Sequence, residues 1–175
     1  MNGKQQLHLV LYQPEIPQNT GNMMRTCVAS NTVMHLIKPL GFSFDEKRVR
    51  RVGMDYIHSL NYHIYENWED FINKNSNGSY YFLTRYGQKT PSEFNLKEAK
   101  QDLYFVVGRE STGIDKHILH DHLDTCMRLP MVEEARCLNV SNTAAIILYE
   151  ALRQLDYQDL IHHETIKGED FLNNY

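Results

Sequence analysis

Leu7-His8-Leu9-Val10-Leu11-Tyr12 and Leu103-Tyr104-Phe105-Val106-Val107 are runs with no polar face. A strand with one side in water alternates apolar and polar residues; these two do not, so both of their sides must be covered. Within one sheet that requires helices on both faces, and the crossovers that place them there run the strands mostly parallel. The aromatic and β-branched Tyr80-Tyr81-Phe82-Leu83-Thr84 and the short Met34-His35-Leu36-Ile37, stopped by Pro39 and Gly41, fit the same scheme. Thr125 to Leu129 reads as a last strand.

Between these runs the residues take on helical character. Asn19-Thr20-Gly21-Asn22 supplies cap-type side chains ahead of a helix over Met23 to Ala29. Further helices are predicted over Asp45 to Val52, Trp68 to Asn73, Asp115 to Leu123 and Asn142 to Leu155. The sequence therefore predicts an α/β fold, a mostly parallel sheet covered by helices on both faces. It forms one domain over residues 1–157, followed by a polar C-terminal tail over 158–175.

In the last helix Val140, Ala144, Ile147, Leu148, Ala151 and Leu155 recur at three- and four-residue spacing. Ala145, Ile146 and Leu152 widen that face beyond what one sheet covers. Such a helix is either central to the core or packed against another subunit, and a homodimer is the expectation. No apolar run has the roughly 18 residues needed to span a membrane, and the N-terminus lacks the layout of a signal peptide. Three cysteines with no Cys-x-x-Cys pair read as free thiols of a cytoplasmic protein. The net charge of −4 means that any nucleic-acid contact must use locally clustered basic groups.

Polar, flexible residues follow three strands at their carboxyl ends, where open α/β sheets bind ligands. The first loop runs from Pro14 through Asn19 to Arg25, the second is Gly108-Arg109-Glu110-Ser111-Thr112-Gly113, and the third runs from Glu133 to Asn142. None is a nucleotide fingerprint: there is no Gly-x-x-x-x-Gly-Lys phosphate loop and no Gly-x-Gly-x-x-Gly after a strand. Taken alone, the second loop is also an ordinary strand-to-helix turn with Glu110 in solvent. Three such loops in one small domain carry more weight than any one.

As a set, PEIPQNTGNMMRTC, LYFVVGRESTGI and LPMVEEARCLNVSNTAAIILYEALRQ resemble the three motifs of the SpoU/TrmH RNA 2′-O-methyltransferases of the SPOUT superfamily. The resemblance is in order and spans about Leu7 to Leu155. It is strongest to the short single-domain branch acting on the wobble nucleotide, tRNA (cytidine/uridine-34) 2′-O-methyltransferases, and GFSFDEKRVRRVGMDY fits that branch too. No RNA-binding extension is expected before the first strand. The resemblance implies a C-terminal trefoil knot, S-adenosyl-L-methionine as methyl donor, a homodimer, and the tRNA anticodon loop as partner. Other readings are 2′-O-methylation of another RNA site, or a non-catalytic RNA-binding module.

Carried over residue by residue, the resemblance puts cofactor contacts on Leu83, Gly108, Leu129 and Cys137, with Ile114, Met131, Leu138 and Ser141 as further lining. It makes Arg25 the catalytic arginine, where a lone arginine would otherwise read as a helix-surface ion-pair member. Glu110 and Asn139 take motif positions that hold the loops or the ribose, and both also suit structural caps. Asn19 and Asn22 are expected to order the first loop around Arg25, with Asn19 also a candidate substrate contact. Tyr149 faces RNA, a partner subunit, or neither.

Other residues are read without the resemblance. Lys47, Arg48, Arg50 and Arg51 form the densest basic cluster, a candidate for tRNA phosphate contacts as well as an ordinary solvated face. His117, His120, Asp121, His122 and Cys126 invite a zinc reading. Histidines at i, i+3 and i+5 do not share a helix face, so no metal is expected. Cys137 has no histidine beside it in the motif and is not read as a nucleophile.

Overall fold

The computed structural model describes residues 4–44 and 57–174. Six strands, β1 (Leu7–Tyr12), β2 (Val33–Ile37), β3 (Tyr62–Tyr65), β4 (Ser79–Leu83), β5 (Leu103–Val107) and β6 (Cys126–Met127), form one sheet. Its order is β3-β2-β1-β5-β4-β6 and every pairing is parallel. The helices are α1 (Pro17–Ala29), α2 (Trp68–Lys74), α3 (Lys116–His120) and α4 (Val140–Gln154). The helix predicted over Asp45 to Val52 lies outside the described residues.

Both sides of the unbroken apolar strands are covered, as their composition requires. Leu7, Leu9 and Leu11 join Leu103, Phe105 and Val107 in a core closed by Met23, Met24 and Cys27 of α1 and Ala144, Ile147, Leu148 and Ala151 of α4. The alternate residues Val10, Tyr12, Tyr104 and Val106 face the other way, against Phe71 of α2, Ile114 and Leu119. Neither side of the two central strands meets water.

Several boundaries differ from the sequence reading. β3 was not anticipated, because Tyr62-His63-Ile64-Tyr65 is an edge strand with His63 and Ile64 exposed and no alternation to betray it. β6 is shorter than the predicted 125–129 stretch. α1 starts at Pro17, whose ring presets the first turn, so Asn19 to Asn22 lie within the helix rather than ahead of it. Asp115 and Asn139 are the N-caps of α3 and α4, accepting from the backbone N–H of His117 and Ser141.

Across β1, β2 and β3 runs a buried polar chain. His8 Nδ1 and His35 Nε2 are 2.8 Å apart, and His35 Nδ1 is 2.9 Å from the Tyr65 hydroxyl, which accepts from Asn75 Nδ2 at 3.2 Å. The hydroxyl's one proton has no other acceptor among the described hydrogen bonds, so it donates to His35. His35 then donates from Nε2 to His8, whose Nε2–H points toward Asp102 at 3.8 Å. Burial pushes the His8 pKa down to about 4 and the His35 pKa to about 3, so both rings stay neutral.

Beyond β4 the chain turns over residues 84–89 and clasps β6 from both limbs. Thr84 N donates to Met127 O and Arg128 N donates to Lys89 O, each at 2.9 Å. A Cβ on Gly87 would come within 2.5 Å of the Met127 carbonyl carbon, so only glycine lets the turn lie this close.

Candidate functional site

Because all six strands are parallel, the loops after β1, β4, β5 and β6 leave the same edge of the sheet, where they enclose a cavity of about 740 Å³. That lies within the ~300–1,000 Å³ range of small-molecule sites. The wall includes Leu83 to Tyr86 after β4, Val107 to Ile114 after β5, and Leu129, Met131 and the 136–140 stretch after β6. Ile16 and Asn19 close it from the β1 side.

Side chains tie three loops together at this cavity. Asn19, buried near the start of α1, donates from Nδ2 to Glu110 Oε1 at 3.0 Å and accepts on Oδ1 from Asn139 Nδ2 at 3.0 Å. Asn139 Oδ1 in turn accepts from the Ser141 N–H at 2.8 Å and the Ser141 hydroxyl at 2.6 Å. A carboxylate can only accept and a backbone N–H can only donate, so the two ends of this chain fix the orientation of both amides.

Glu110 also takes the N–H groups of Glu15 at 2.9 Å and Ile16 at 3.3 Å, uncapped donors at the entrance to α1. The clasp is reciprocal. Glu15 accepts from the Ser111 N–H at 2.9 Å and the Ser111 hydroxyl at 2.8 Å, and these bonds hold its carboxyl below the usual range. Adjacent carboxylates on two loops thus each grip the other loop's donors.

Seven of the eight predicted cofactor contacts line the cavity: Leu83, Gly108, Ile114, Leu129, Met131, Cys137 and Leu138. Gly108 permits a close approach, since a Cβ there would meet the Gly113–Ile114 peptide at 2.4 Å. Gly113 itself has φ +75°, a left-handed conformation that glycine adopts freely. Apolar side chains with backbone groups between them suit an adenosine: the chains sandwich a planar ring while main-chain N–H and C=O read its edge. The residues present therefore fit the expected methyl donor. Ser141 departs from the prediction. It is buried under Asn139 and does not line the cavity, because its hydroxyl completes the helix cap.

Glu110 and Asn139 are in the wall, joined through Asn19. Arg25 is exposed on α1 and is not part of that wall. Six residues beyond Asn19, it lies about 9 Å further along the axis and roughly 240° around it, so the two side chains leave the helix in different directions. Tyr149, with 44% of its surface exposed, lies on the outer face of α4 beside Ile146 at 46%. Lys47, Arg48, Arg50 and Arg51 lie outside the described residues. Before that stretch, Gly41 N donates to Pro14 O at 2.9 Å.

Sequence reasoning missed Arg109. Its guanidinium sits 5.3 Å from the centre of the Tyr12 ring, with Nη1 3.3 Å from the Thr112 hydroxyl, and lines the cavity. Its position beside Gly108 was the available signal. Arg85, Lys116, Arg128 and Arg136 line the cavity as well. Of the residues in the zinc reading, the His122 ring stacks on Phe82 at 4.6 Å and the Cys126 thiol is buried, 3.8 Å from Leu119 O.

Residues 6–149 match the SpoU rRNA Methylase family. A protein of Geobacillus stearothermophilus, provisionally named a tRNA (cytidine(34)-2′-O)-methyltransferase, is 48% identical over 154 residues, covering 88% of this chain and 98% of that one. A solved structure described under the 2-OH methylation of C/U34 on tRNA superposes with a TM-score of 0.79 at 32% identity, covering 87% and 97%. The AviRb methyltransferase of Streptomyces viridochromogenes, solved in complex with AdoMet, shares the fold at a TM-score of 0.73 and 21% identity, covering 87% and 59%.

Proposed function

The chain belongs to the SpoU methylase family, and on that footing we propose that it is an S-adenosylmethionine-dependent methyltransferase acting on the 2′-hydroxyl of the tRNA wobble nucleotide, C34 or U34. The carrying observation is the Asn19–Glu110–Asn139 network, which draws the three motif loops around one cavity of suitable size and lining. The names given to the similar proteins supply the nucleotide.

When bound, S-adenosylmethionine supplies an electrophilic methyl group. The protein's part is to hold, orient and stabilise. Leu83, Gly108, Ile114, Leu129, Met131, Cys137 and Leu138 hold the donor, and the loop network fixes their spacing. A guanidinium has no acceptor lone pair to offer, so Arg25 is poorly suited to removing the hydroxyl proton. It binds the phosphate next to the target ribose and stabilises the charge that develops on the 2′-oxygen.

Arg25 reaches such a ribose from a second subunit. The outer face of α1 carries Arg25 and Asn22, that of α4 carries Ile146 and Tyr149, and the two helices pack side by side. Pairing these faces across a two-fold axis covers the exposed apolar side chains, and in this reading Arg25 of one subunit serves the cavity of the other. The trefoil knot also belongs to this reading, supported by the 84–89 clasp around Met127 and Arg128. So do the 1–157 domain and 158–175 tail, RNA contacts by Lys47, Arg48 and Arg51, and a cytoplasmic site of action. Among the described residues no helix is long and apolar enough to cross a membrane.

The test is mass spectrometry of nuclease-digested tRNA incubated with the purified protein and S-adenosylmethionine. Methylation of C34 or U34 is expected, with Arg25→Ala slowing turnover by about 10²–10³-fold while cofactor affinity is kept. Unmethylated nucleotide 34 across a complete tRNA pool would remove the assignment.

A further inference from the structure

The cavity wall carries more positive charge than holding its expected occupant requires. Arg85, Arg109, Lys116, Arg128 and Arg136 all line it, against a single carboxylate, Glu110. That carboxylate is consumed by three N–H donors from the α1 entrance and Asn19. Among the described residues none of the five cations forms an ion pair. Glu15 lies near enough to Arg109 to be influenced by it; the other four have no carboxylate within ion-pair distance among the described residues. Glu133 and Glu134 are exposed and outside the wall. In a protein of net charge −4 this is a local inversion of sign.

S-adenosylmethionine is itself a cation at neutral pH: sulfonium and ammonium outweigh one carboxylate. Its demethylated product has no net charge. In the transfer the ribose O–H bond is replaced by an O–CH3 bond, the S–C bond pair remains on sulfur, and the proton passes to solvent. One positive charge is thereby lost from the cavity.

Resting on the methyltransferase reading above, we propose that the cationic rim makes RNA and methyl donor bind cooperatively, and that loss of the sulfonium charge releases the RNA. Like charges oppose entry of the cationic donor into the free protein, and less so entry of the neutral product. RNA phosphates seated on Arg85, Lys116, Arg128 and Arg136 cancel that opposition. By linkage, the RNA binds more tightly beside the charged donor than beside the neutral product, and by the same factor. Methyl transfer thus weakens the grip on the modified RNA without any movement of the loops.

The experiment is calorimetric titration of the wild-type protein with two unreactive ligands of nearly one shape. Sinefungin replaces the sulfonium by an ammonium-bearing carbon and keeps the charge; S-adenosylhomocysteine is neutral. In about 50 mM salt the neutral ligand is expected to bind roughly tenfold tighter, with the gap closing toward 0.5 M salt as the charges are screened. Addition of an anticodon stem-loop RNA should raise sinefungin affinity at least about threefold more than that of S-adenosylhomocysteine. Lys116→Gln with Arg128→Gln, both exposed, should narrow the low-salt gap. A gap independent of salt, or equal enhancement of both ligands by RNA, would overturn the inference and leave the methyltransferase reading standing. Failure of either ligand to bind would take down both.

Discussion

Two polar networks in this molecule use the same kind of bond for opposite ends. The chain from Asn75 through Tyr65, His35 and His8 runs inside the sheet and is built from neutral groups, since burial keeps both imidazoles unprotonated. The network joining Glu15, Asn19, Glu110, Ser111 and Asn139 sits on loops at the sheet's edge and is organised around two carboxylates. A charge in the first place would cost far more than its hydrogen bonds return. On half-exposed loops water solvates the carboxylates, and each bond to them is about twice as strong as a neutral one. The buried chain therefore holds strands together, while the loop network shapes the cavity. Damage to one should appear as lost stability and damage to the other as lost binding.

The largest separation is expected from Glu110→Ala. It removes the acceptor of three donors and frees Asn19 from one side, so the first and second loops are no longer registered. Ile16 N–H is exposed and the other two donors are only part-buried, so water relieves part of the penalty and the loss of stability stays at about 1–2 kcal/mol. Cofactor affinity should fall about 100-fold, close to 3 kcal/mol. Calorimetric titration beside thermal unfolding measures both. If the loss of stability exceeds the loss of binding, the division between the networks does not hold.

That division also accounts for what could be read from the sequence. The strands buried on both sides announced themselves, because an unbroken apolar run is stable only where both of its faces are shielded from water. The loop network was partly legible: Asn19, Glu110 and Asn139 were each singled out, but their mutual bonds connect positions 91 and 120 residues apart and have no local signature. In the sequence Ser141 suits cofactor lining as well as a cap, because a hydroxyl in a polar turn serves either, and only the fold decides. Arg109 carries no motif signal of its own beside Glu110. The buried chain was invisible, since His8 and His35 sit in apolar strands as isolated polar residues, and Tyr65 lies on the edge strand that was missed. What pairs them is strand order, a non-local fact.

Acid is expected to weaken the buried chain. His8 and His35 have folded pKa values of about 4 and 3, below the ordinary value near 6.5. The unfolded chain therefore takes up protons that the folded one refuses. Stability is at its full value above about pH 6.5 and declines as pH falls toward the folded values. Around His8 and His35, His63 adds repulsion to any charged form; Asp102 partly favours a charged His8. Each buried histidine contributes up to about 1.4 kcal/mol per pH unit, so roughly 2 kcal/mol is lost by pH 5 if one of the pair accounts for it. Denaturant midpoints at pH 7, 6 and 5 give the size, and imidazole proton resonances give the cause. Resonances of His8 and His35 that titrate near pH 6.5 would show the chain to be open to water.

The smallest effect, and the finest test, comes from Glu15→Gln. The side-chain carbonyl still accepts from the Ser111 N–H, and the amide nitrogen can donate to the Ser111 hydroxyl, so both bonds survive and only the charge goes. The carboxylate is exposed to solvent, which screens its contribution. A change under about 1 kcal/mol is expected, seen as a two- to fivefold weaker cofactor affinity. It should fade at high salt, since only a charge effect is screened. If Glu15→Gln is instead as damaging as Glu110→Ala, the loops are held by charge and not by the number of donors satisfied. The carboxylates would then be answering the cations of the cavity wall, and the edge network would be electrostatic in the same sense as the rim beside it.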